Sequence, residues 1–262
     1  MQSEKVIEYI TQWLKDYAEK SNTNGFVVGI SGGIDSAVVS ALCARTGKRT
    51  LCVEIPIHQA ATQVSRAQNH ILDLKKNFSN VTDIHVDLTQ VFEQFRSSVP
   101  HLEETDALNL SLANTRARLR MTTLYYFAGL HGLLVAGTGN KVEDFGVGFF
   151  TKYGDGGVDI SPIADLMKSQ VYELANHLDI SDEIRGAAPT DGLFGDSRTD
   201  EDQIGASYDE LEWAMKMAEE NKTEEDFSGR EREVFGIYTS RNRANKHKME
   251  PIPVCELPVH LL

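Results

Sequence analysis

The segment of this sequence best suited to chemistry is the glycine loop at residues 31–36, which reads Ser-Gly-Gly-Ile-Asp-Ser. Its two glycines let the main chain approach a ligand without a Cβ atom in the way. The N–H groups at the start of the predicted helix that follows, together with the helix dipole, favour an anion there. The serines add hydroxyl donors, and Asp35 can hold a Mg²⁺ ion that itself contacts phosphate. The loop therefore predicts a phosphate site.

Two widespread phosphate motifs do not match this loop. Walker A requires Gly-Lys-Ser/Thr after the glycines, and the Rossmann pattern GxGxxG is absent. A lone Ser-Gly-Gly would also fit a plain strand-to-helix turn with a serine or aspartate cap. With Asp35 and Ser36 following, the segment closely resembles the SGGxDS signature of the ATP pyrophosphatase (PP-loop) superfamily. That resemblance implies cleavage of ATP between its α and β phosphates, with the loop holding the departing pyrophosphate.

Three further segments narrow the resemblance to one family. They read NTRARLRM at 114–121, GTGNKVE at 137–143 and GFFTKYGDGGVD at 148–159. They are similar to the GN-x-KAR-x-RM helix, the GT-x₄-E element and the most characteristic stretch of the ammonia-dependent NAD synthetases. Because shorter matches recur in order at 189–191, 207–209 and 246–248, the resemblance covers nearly the whole chain.

The resemblance implies a reaction in which ATP adenylates the nicotinate carboxylate of deamido-NAD and ammonia displaces AMP to give NAD. Adenylation is chemically necessary, because a free carboxylate is a poor electrophile. Mg²⁺ is the implied cofactor and ATP a co-substrate. The family also assembles as homodimers, with the deamido-NAD site completed by both subunits.

The resemblance assigns roles to individual residues. The expected catalytic residues are Asp35, Lys168 and Asp159, and the expected metal ligands are Asp35 and Glu143. The expected deamido-NAD contacts, mostly cations suited to two phosphates and a carboxylate, are Arg118, Lys152, Asp159, His247 and Lys248. The expected ATP contacts are Gly29, Ile30, Ser31, Gly32, Gly33, Ile34, Asp35, Ser36, Thr138, Lys168 and Thr190.

Short apolar runs alternate with helical patterns and would position these residues. The runs 25–30, 50–55, 81–86 and 132–136 are predicted strands. Predicted helices cover 34–45, 60–76, 108–129, 207–221 and 229–246, with a further one beginning near Leu88. Apolar strands separated by helices indicate a mostly parallel, doubly wound α/β sheet with helices on both faces, whose ligand lies beyond the C-terminal strand ends. The resemblance implies the adenine nucleotide alpha hydrolase-like version of this fold.

Two stretches, 137–161 and 189–206, are rich in glycine and polar residues and are predicted to be functional loops rather than core elements. No linker or repeat divides the chain, so residues 1–262 are expected to form a single domain.

The composition disfavours other classes of protein. A net charge of −13 argues against a long nucleic acid as partner. The three cysteines form no CxxC pair, and an odd count favours a reducing compartment. The N-terminus carries an amphipathic helix instead of a signal peptide, and no apolar run is long enough to cross a bilayer. The chain is therefore expected to be cytoplasmic and without a membrane partner.

Three alternatives remain open. A glutamine-dependent NAD synthetase would carry an added glutaminase domain with a nucleophilic cysteine, which is not seen here, although a separate glutaminase subunit is conceivable. Another PP-loop enzyme, such as a tRNA thiolase, is disfavoured by the acidic charge and the lack of a catalytic cysteine pair. A nonenzymatic adenine-nucleotide sensor would bind ATP without releasing pyrophosphate.

Overall fold

The computed structural model describes residues 1–100, 103–190 and 198–262. Within these residues a four-stranded parallel sheet has the order β3-β2-β1-β4. Its strands are β1 (Gly25–Gly29), β2 (Arg49–Glu54), β3 (Val81–His85) and β4 (Leu134–Val135). The predicted α/β fold with a parallel sheet is confirmed.

Helices cover both faces of the sheet because its central strands are apolar on both sides. Phe26 and Val28 of β1 pack in the same buried cluster as the first three helices, whereas Val27 packs with the long fifth helix on the opposite face. The helices are α1 (Ser3–Lys20), α2 (Ile34–Arg45), α3 (Ala61–Asn77), α4 (Thr89–Ser98), α5 (Asp106–His131), α6 (Lys168–His177), α7 (Asp182–Arg185), α8 (Asp200–Ile204), α9 (Tyr208–Glu219) and α10 (Gly229–Met249).

The strand order reverses beside β1, which pairs with β2 on one side and with β4 on the other. Ligands of open α/β sheets bind beyond the C-terminal strand ends at such a switch point. The loop at 31–36 follows β1, and the segment at 137–141 follows β4. The topology therefore brings together two segments that are about 100 residues apart in sequence.

The prediction that residues 137–161 contain no core element is wrong. Val142–Val147 forms a π-helix, and both of its terminal valines are fully buried. This π-helix packs with α9 and α10 around a second apolar cluster. The predicted loop at 189–206 likewise contains α8, while residues 191–197, including Asp191, lie outside the described residues. Among the described residues, no helix is both long and apolar enough to span a membrane.

Candidate active site

The loop at 31–36 is held in shape by its own two serines. The Ser36 hydroxyl donates to the Gly33 carbonyl oxygen at 3.0 Å, and the Gly33 N–H donates to the Ser31 hydroxyl at 3.2 Å. From α3, Arg66 Nε donates to the Gly32 carbonyl oxygen at 3.1 Å. The N-cap residue of α2 is Gly33, which has no side chain to cap the helix. The first turn of α2 therefore presents main-chain N–H groups and the positive end of its dipole to an anion.

A cavity of about 270 Å³ opens beside this loop. It is lined by every residue predicted to bind ATP except Gly32, and by Glu143. Apolar side chains of Val53, Ile55 and Leu124 line the cavity as well. One cavity thus offers hydrogen-bond donors for the phosphates and an apolar wall for the base of a nucleoside triphosphate.

Gly32 supports the loop through its backbone, and its replacement provides a test. Its φ is +79°, and an added Cβ would lie 2.5 Å from the Gln63 carbonyl oxygen. Gly47 has a φ of +72° but open space around it. We expect Gly47→Ala to cost only the left-handed strain of about 1–2 kcal/mol. Gly32→Ala should cost clearly more in denaturant unfolding and should raise KM for ATP; equal costs for the two variants would contradict this packing.

Two carboxylates and one ammonium group form the centre of the site. Lys168 Nζ contacts Asp35 Oδ2 at 2.7 Å and Glu143 Oε1 at 2.9 Å. Asp35 lies in the first turn of α2, Glu143 in the π-helix, and Lys168 at the start of α6. The Lys168 side chain is only 3% exposed, so its charge is directed inward. A buried ammonium between two carboxylates is stabilised only because both partners are present.

The pKa values in this group reflect burial opposed by charge. Burial raises the pKa of Asp35 above its ordinary value, although Lys168 lowers it. Burial acts the same way on Glu143, but the Lys168 ammonium and the Tyr208 hydroxyl outweigh it, so the pKa of Glu143 lies below its ordinary value. Burial would lower the pKa of Lys168, but Asp35 and Glu143 together hold it above its ordinary value. Lys168 is therefore charged throughout the neutral range.

The same two carboxylates have the chemistry of a magnesium site. Mg²⁺ takes oxygen ligands and is usually held by one or two carboxylates together with substrate phosphates. Asp35 and Glu143 fit this requirement because one carboxylate oxygen of each contacts the same positive group, the Lys168 ammonium, beside the phosphate loop. In the described part of the chain, no group of three or more His, Cys, Asp or Glu residues could hold a metal ion. A metal bound together with ATP fits these residues better than an all-protein cage.

The four basic residues predicted to contact deamido-NAD form a second group near the end of α10. Arg118 donates to the Lys152 carbonyl oxygen at 3.3 Å, and Lys152 Nζ donates to that of His247 at 2.6 Å. Lys248 Nζ donates to the Phe150 carbonyl oxygen at 2.6 Å. The structure brings the four predicted residues together. None of them lines the cavity beside the phosphate loop.

Asp159 is hydrogen-bonded to residues of the fold. Its carboxylate accepts from the Val135 main-chain N–H at 2.8 Å and from the Tyr125 hydroxyl at 2.9 Å. It therefore anchors the end of β4 and is not among the residues that line the cavity. Its catalytic and substrate-binding roles stay predictions.

Asn140 and Tyr208 contact the two carboxylates of the site and were not predicted. Asn140, fully buried, donates to Asp35 Oδ1 at 3.1 Å, while its own side-chain oxygen accepts from the Glu143 N–H at 3.2 Å. Tyr208 donates to Glu143 Oε1 at 2.7 Å. Both lie inside segments that had been singled out by resemblance, at 137–143 and 207–209. The missing information was which side chain of each segment faces the carboxylates.

The comparisons with known proteins agree on one family. The NAD synthase family model matches residues 6–252. The NH(3)-dependent NAD(+) synthetase of Methanosarcina acetivorans is 35% identical over 98% of this chain and 100% of its own. The NMN synthetase structure from Francisella tularensis aligns with a TM-score of 0.85 at 30% identity, covering 98% of this chain and 100% of that one. The NH3-dependent NAD synthetase of Campylobacter jejuni aligns at 0.78 and 26% identity, with the same coverage.

Proposed function

The chain belongs to the NAD synthase family, and we propose that it makes NAD from deamido-NAD, ammonia and ATP at the site around Asp35, Glu143 and Lys168. The observation that carries this proposal is the convergence of these three side chains beside the phosphate loop, within one cavity. The phosphate loop offers an anion cradle, Asp35 and Glu143 offer a carboxylate pair for a divalent cation, and Lys168 offers a positive charge that lines the same cavity.

The proposed reaction has two steps, adenylation of the carboxylate and displacement of AMP by ammonia. First, an oxygen of the nicotinate carboxylate attacks the α-phosphorus of ATP, the α–β P–O bond breaks, and pyrophosphate leaves. Then ammonia attacks the activated carbonyl carbon, the bond to AMP breaks, and nitrogen loses one proton to give the amide. The loop N–H groups and Lys168 stabilise negative charge on the phosphates, and Mg²⁺ held by Asp35 and Glu143 would neutralise charge on the departing pyrophosphate.

A product assay tests this function directly. With ammonium, ATP, Mg²⁺ and deamido-NAD, we expect NAD, AMP and pyrophosphate in equal amounts, because the cleaved bond lies between the α and β phosphates. Chromatography of the nucleotides measures this ratio. Formation of ADP and phosphate, or binding of ATP without turnover, would contradict the proposal; the latter outcome would favour a sensor.

We propose free ammonia as the nitrogen donor. The relative from Methanosarcina acetivorans, matched over its full length, is named as NH(3)-dependent. Replacing ammonium with glutamine in the same assay, with no second protein added, should remove the activity. Comparable rates with the two donors would instead support a glutamine-dependent enzyme.

A second acceptor, nicotinate mononucleotide, is favoured by one observation. This is the similarity to the NMN synthetase of Francisella tularensis over 98% of this chain and 100% of that one. Comparing kcat/KM for the mononucleotide and the dinucleotide decides between the two acceptors.

We further propose a homodimer, Mg²⁺ as the metal, and a cytoplasmic location. The exposed aromatic side chain of Tyr126 on α5 offers an apolar contact for a second copy. Sedimentation should then give twice the chain mass of 29.1 kDa.

The proposed location is supported by the cysteines. Cys43, Cys52 and Cys255 are all free thiols, which is consistent with a reducing compartment.

A further inference from the structure

Tyr208 is the first residue of α9, and local sequence fixes its position. Ser207 caps this helix: its hydroxyl accepts from the Glu210 N–H at 3.3 Å, and the Glu210 carboxylate accepts from the Ser207 N–H at 2.9 Å. Such a reciprocal pair satisfies two main-chain donors and defines where a helix begins. The Tyr208 N–H donates to Glu201 at 2.9 Å. The backbone at this residue is therefore held on both sides.

The Tyr208 side chain lies in the second apolar cluster, to which the π-helix and α10 also contribute, and the residue is only 6% exposed. Its ring belongs to the same buried cluster as Val142 and Leu211. Its hydroxyl, in contrast, reaches out of this cluster into the carboxylate group of the active site. The residue therefore connects a packed core to the proposed metal ligands.

The Tyr208 hydroxyl contacts Glu143, and the Tyr208 ring contacts Lys168. The hydroxyl donates to Glu143 Oε1 at 2.7 Å, the same oxygen that accepts from Lys168 at 2.9 Å. The Lys168 ammonium lies 4.7 Å from the centroid of the Tyr208 ring, within the range of a cation–π contact. The hydroxyl is also 3.3 Å from Asp200 Oδ2. Because a phenol has one hydrogen, the shorter contact identifies Glu143 as its main acceptor.

We propose that Tyr208 is a positioning residue for the magnesium site, holding the Glu143 carboxylate in the orientation that binds the ion. This inference rests on the proposed function and on Asp35 and Glu143 as the metal ligands. A ligating carboxylate needs hydrogen-bond partners that fix its orientation, and loss of such a partner typically costs 10- to 100-fold in metal affinity. Tyr208 is suited to this task because its ring is immobilised by packing.

The variant Tyr208→Phe removes the hydroxyl and keeps the ring. Mn²⁺ serves as the probe, and its binding is followed by electron paramagnetic resonance in the presence of α,β-methylene-ATP, which cannot be cleaved. We expect Mn²⁺ affinity to fall about 10- to 100-fold. In turnover assays the Mg²⁺ concentration that gives half-maximal activity should rise by a similar factor. The value of kcat at saturating Mg²⁺ should change much less.

Tyr238→Phe is the matched control, since Tyr238 packs against the same apolar cluster but its hydroxyl does not hydrogen-bond to Asp35 or Glu143. It should bind Mn²⁺ like the wild type. A second pair, Glu143→Ala with and without Tyr208→Phe, separates positioning from a structural role. Because Tyr208 acts through Glu143, its hydroxyl should have no further effect on Mn²⁺ binding once Glu143 is gone.

Unchanged Mn²⁺ affinity in Tyr208→Phe would overturn the proposal, as would an equal loss with and without Glu143. Failure of the proposed function would look different. In that case the wild-type protein would make no AMP and amide from any nicotinate nucleotide, whatever its Mn²⁺ affinity.

Discussion

Asp35→Asn is expected to lower the rate of NAD formation by about 10²- to 10³-fold or more, because it removes a charge that stabilises the reacting phosphates through Mg²⁺. The change is isosteric, and Lys168 keeps Glu143 as a partner at 2.9 Å, so the fold should persist. Initial rates at saturating ATP and Mg²⁺ measure the loss, and circular dichroism checks the fold. Mn²⁺ binding in the presence of ATP should weaken in parallel.

Asp165→Asn is the control for this experiment. The Asp165 side chain is 99% exposed and contacts Lys141 at 3.5 Å, so the same chemical change there should leave the rate unaltered. If Asp35→Asn retained the wild-type rate, Asp35 could not be a metal ligand and the roles proposed for the phosphate loop would need revision. A folded but inactive variant supports them.

The sequence predicted the elements whose patterns are local. The predicted helix over 34–45 has the bounds found for α2, and the four predicted strands pair as a parallel sheet. Strand β4 is shorter than expected, with Leu134 and Val135 alone. Its continuation is replaced by a single bridge from Ala136 to Ile160. The interpretation of residues 1–262 as a single domain stays a prediction.

The π-helix could not be predicted because distant residues stabilise it. Asn242 Nδ2 donates to the Gly146 carbonyl oxygen at 2.7 Å, and Asn245 Nδ2 donates to that of Val147 at 2.9 Å. Both asparagines lie on α10, nearly 100 residues later in the chain. Locally, Gly146 and the acidic residues Glu143 and Asp144 indicate a loop. Only the tertiary contacts make it helical and direct Glu143 toward Asp35.

The environment of Lys168 was also beyond the reach of the sequence. A lysine in the first turn of a helix is ordinarily exposed, and resemblance alone marked this one as an ATP contact. Its burial follows from the strand order, which places the segments after β1 and β4 side by side and directs α6 toward them. The residue types therefore indicated the chemistry of the site, whereas the strand order determined that Lys168 lies buried between Asp35 and Glu143.

Lys168→Met is expected to reduce both activity and stability strongly. The methionine keeps much of the volume but leaves Asp35 and Glu143 without the ammonium that contacts both. Removing one partner from a buried ionic group typically costs about 3–5 kcal/mol in the free energy of unfolding. Loss of the cation proposed to stabilise charge on the phosphates should also lower the rate by about 10²- to 10³-fold. Denaturant unfolding and the product assay measure the two effects.

The stability loss should depend on pH in a defined direction. In the wild type, the pKa of Glu143 lies below its ordinary value, so this carboxylate adds stability above its unfolded pKa and loses it as pH falls. In Lys168→Met, burial is no longer opposed, so the pKa values of both carboxyl groups should rise. The deficit relative to wild type should then be largest near neutral pH and shrink toward the ordinary carboxyl pKa values of about 4.

The control is Lys141→Met, because Lys141 is 30% exposed and contacts Asp165 at 3.5 Å and Glu219 at 3.8 Å. Exposed pairs of this kind contribute about 0–1 kcal/mol, so that variant should unfold nearly like the wild type at every pH. A deficit for Lys168→Met that stayed constant from neutral pH to about pH 5 would mean that lost packing, rather than the two carboxylates, accounts for it. A deficit that shrinks on acidification identifies Lys168 as the counter-ion that lets two buried carboxylates face one phosphate loop.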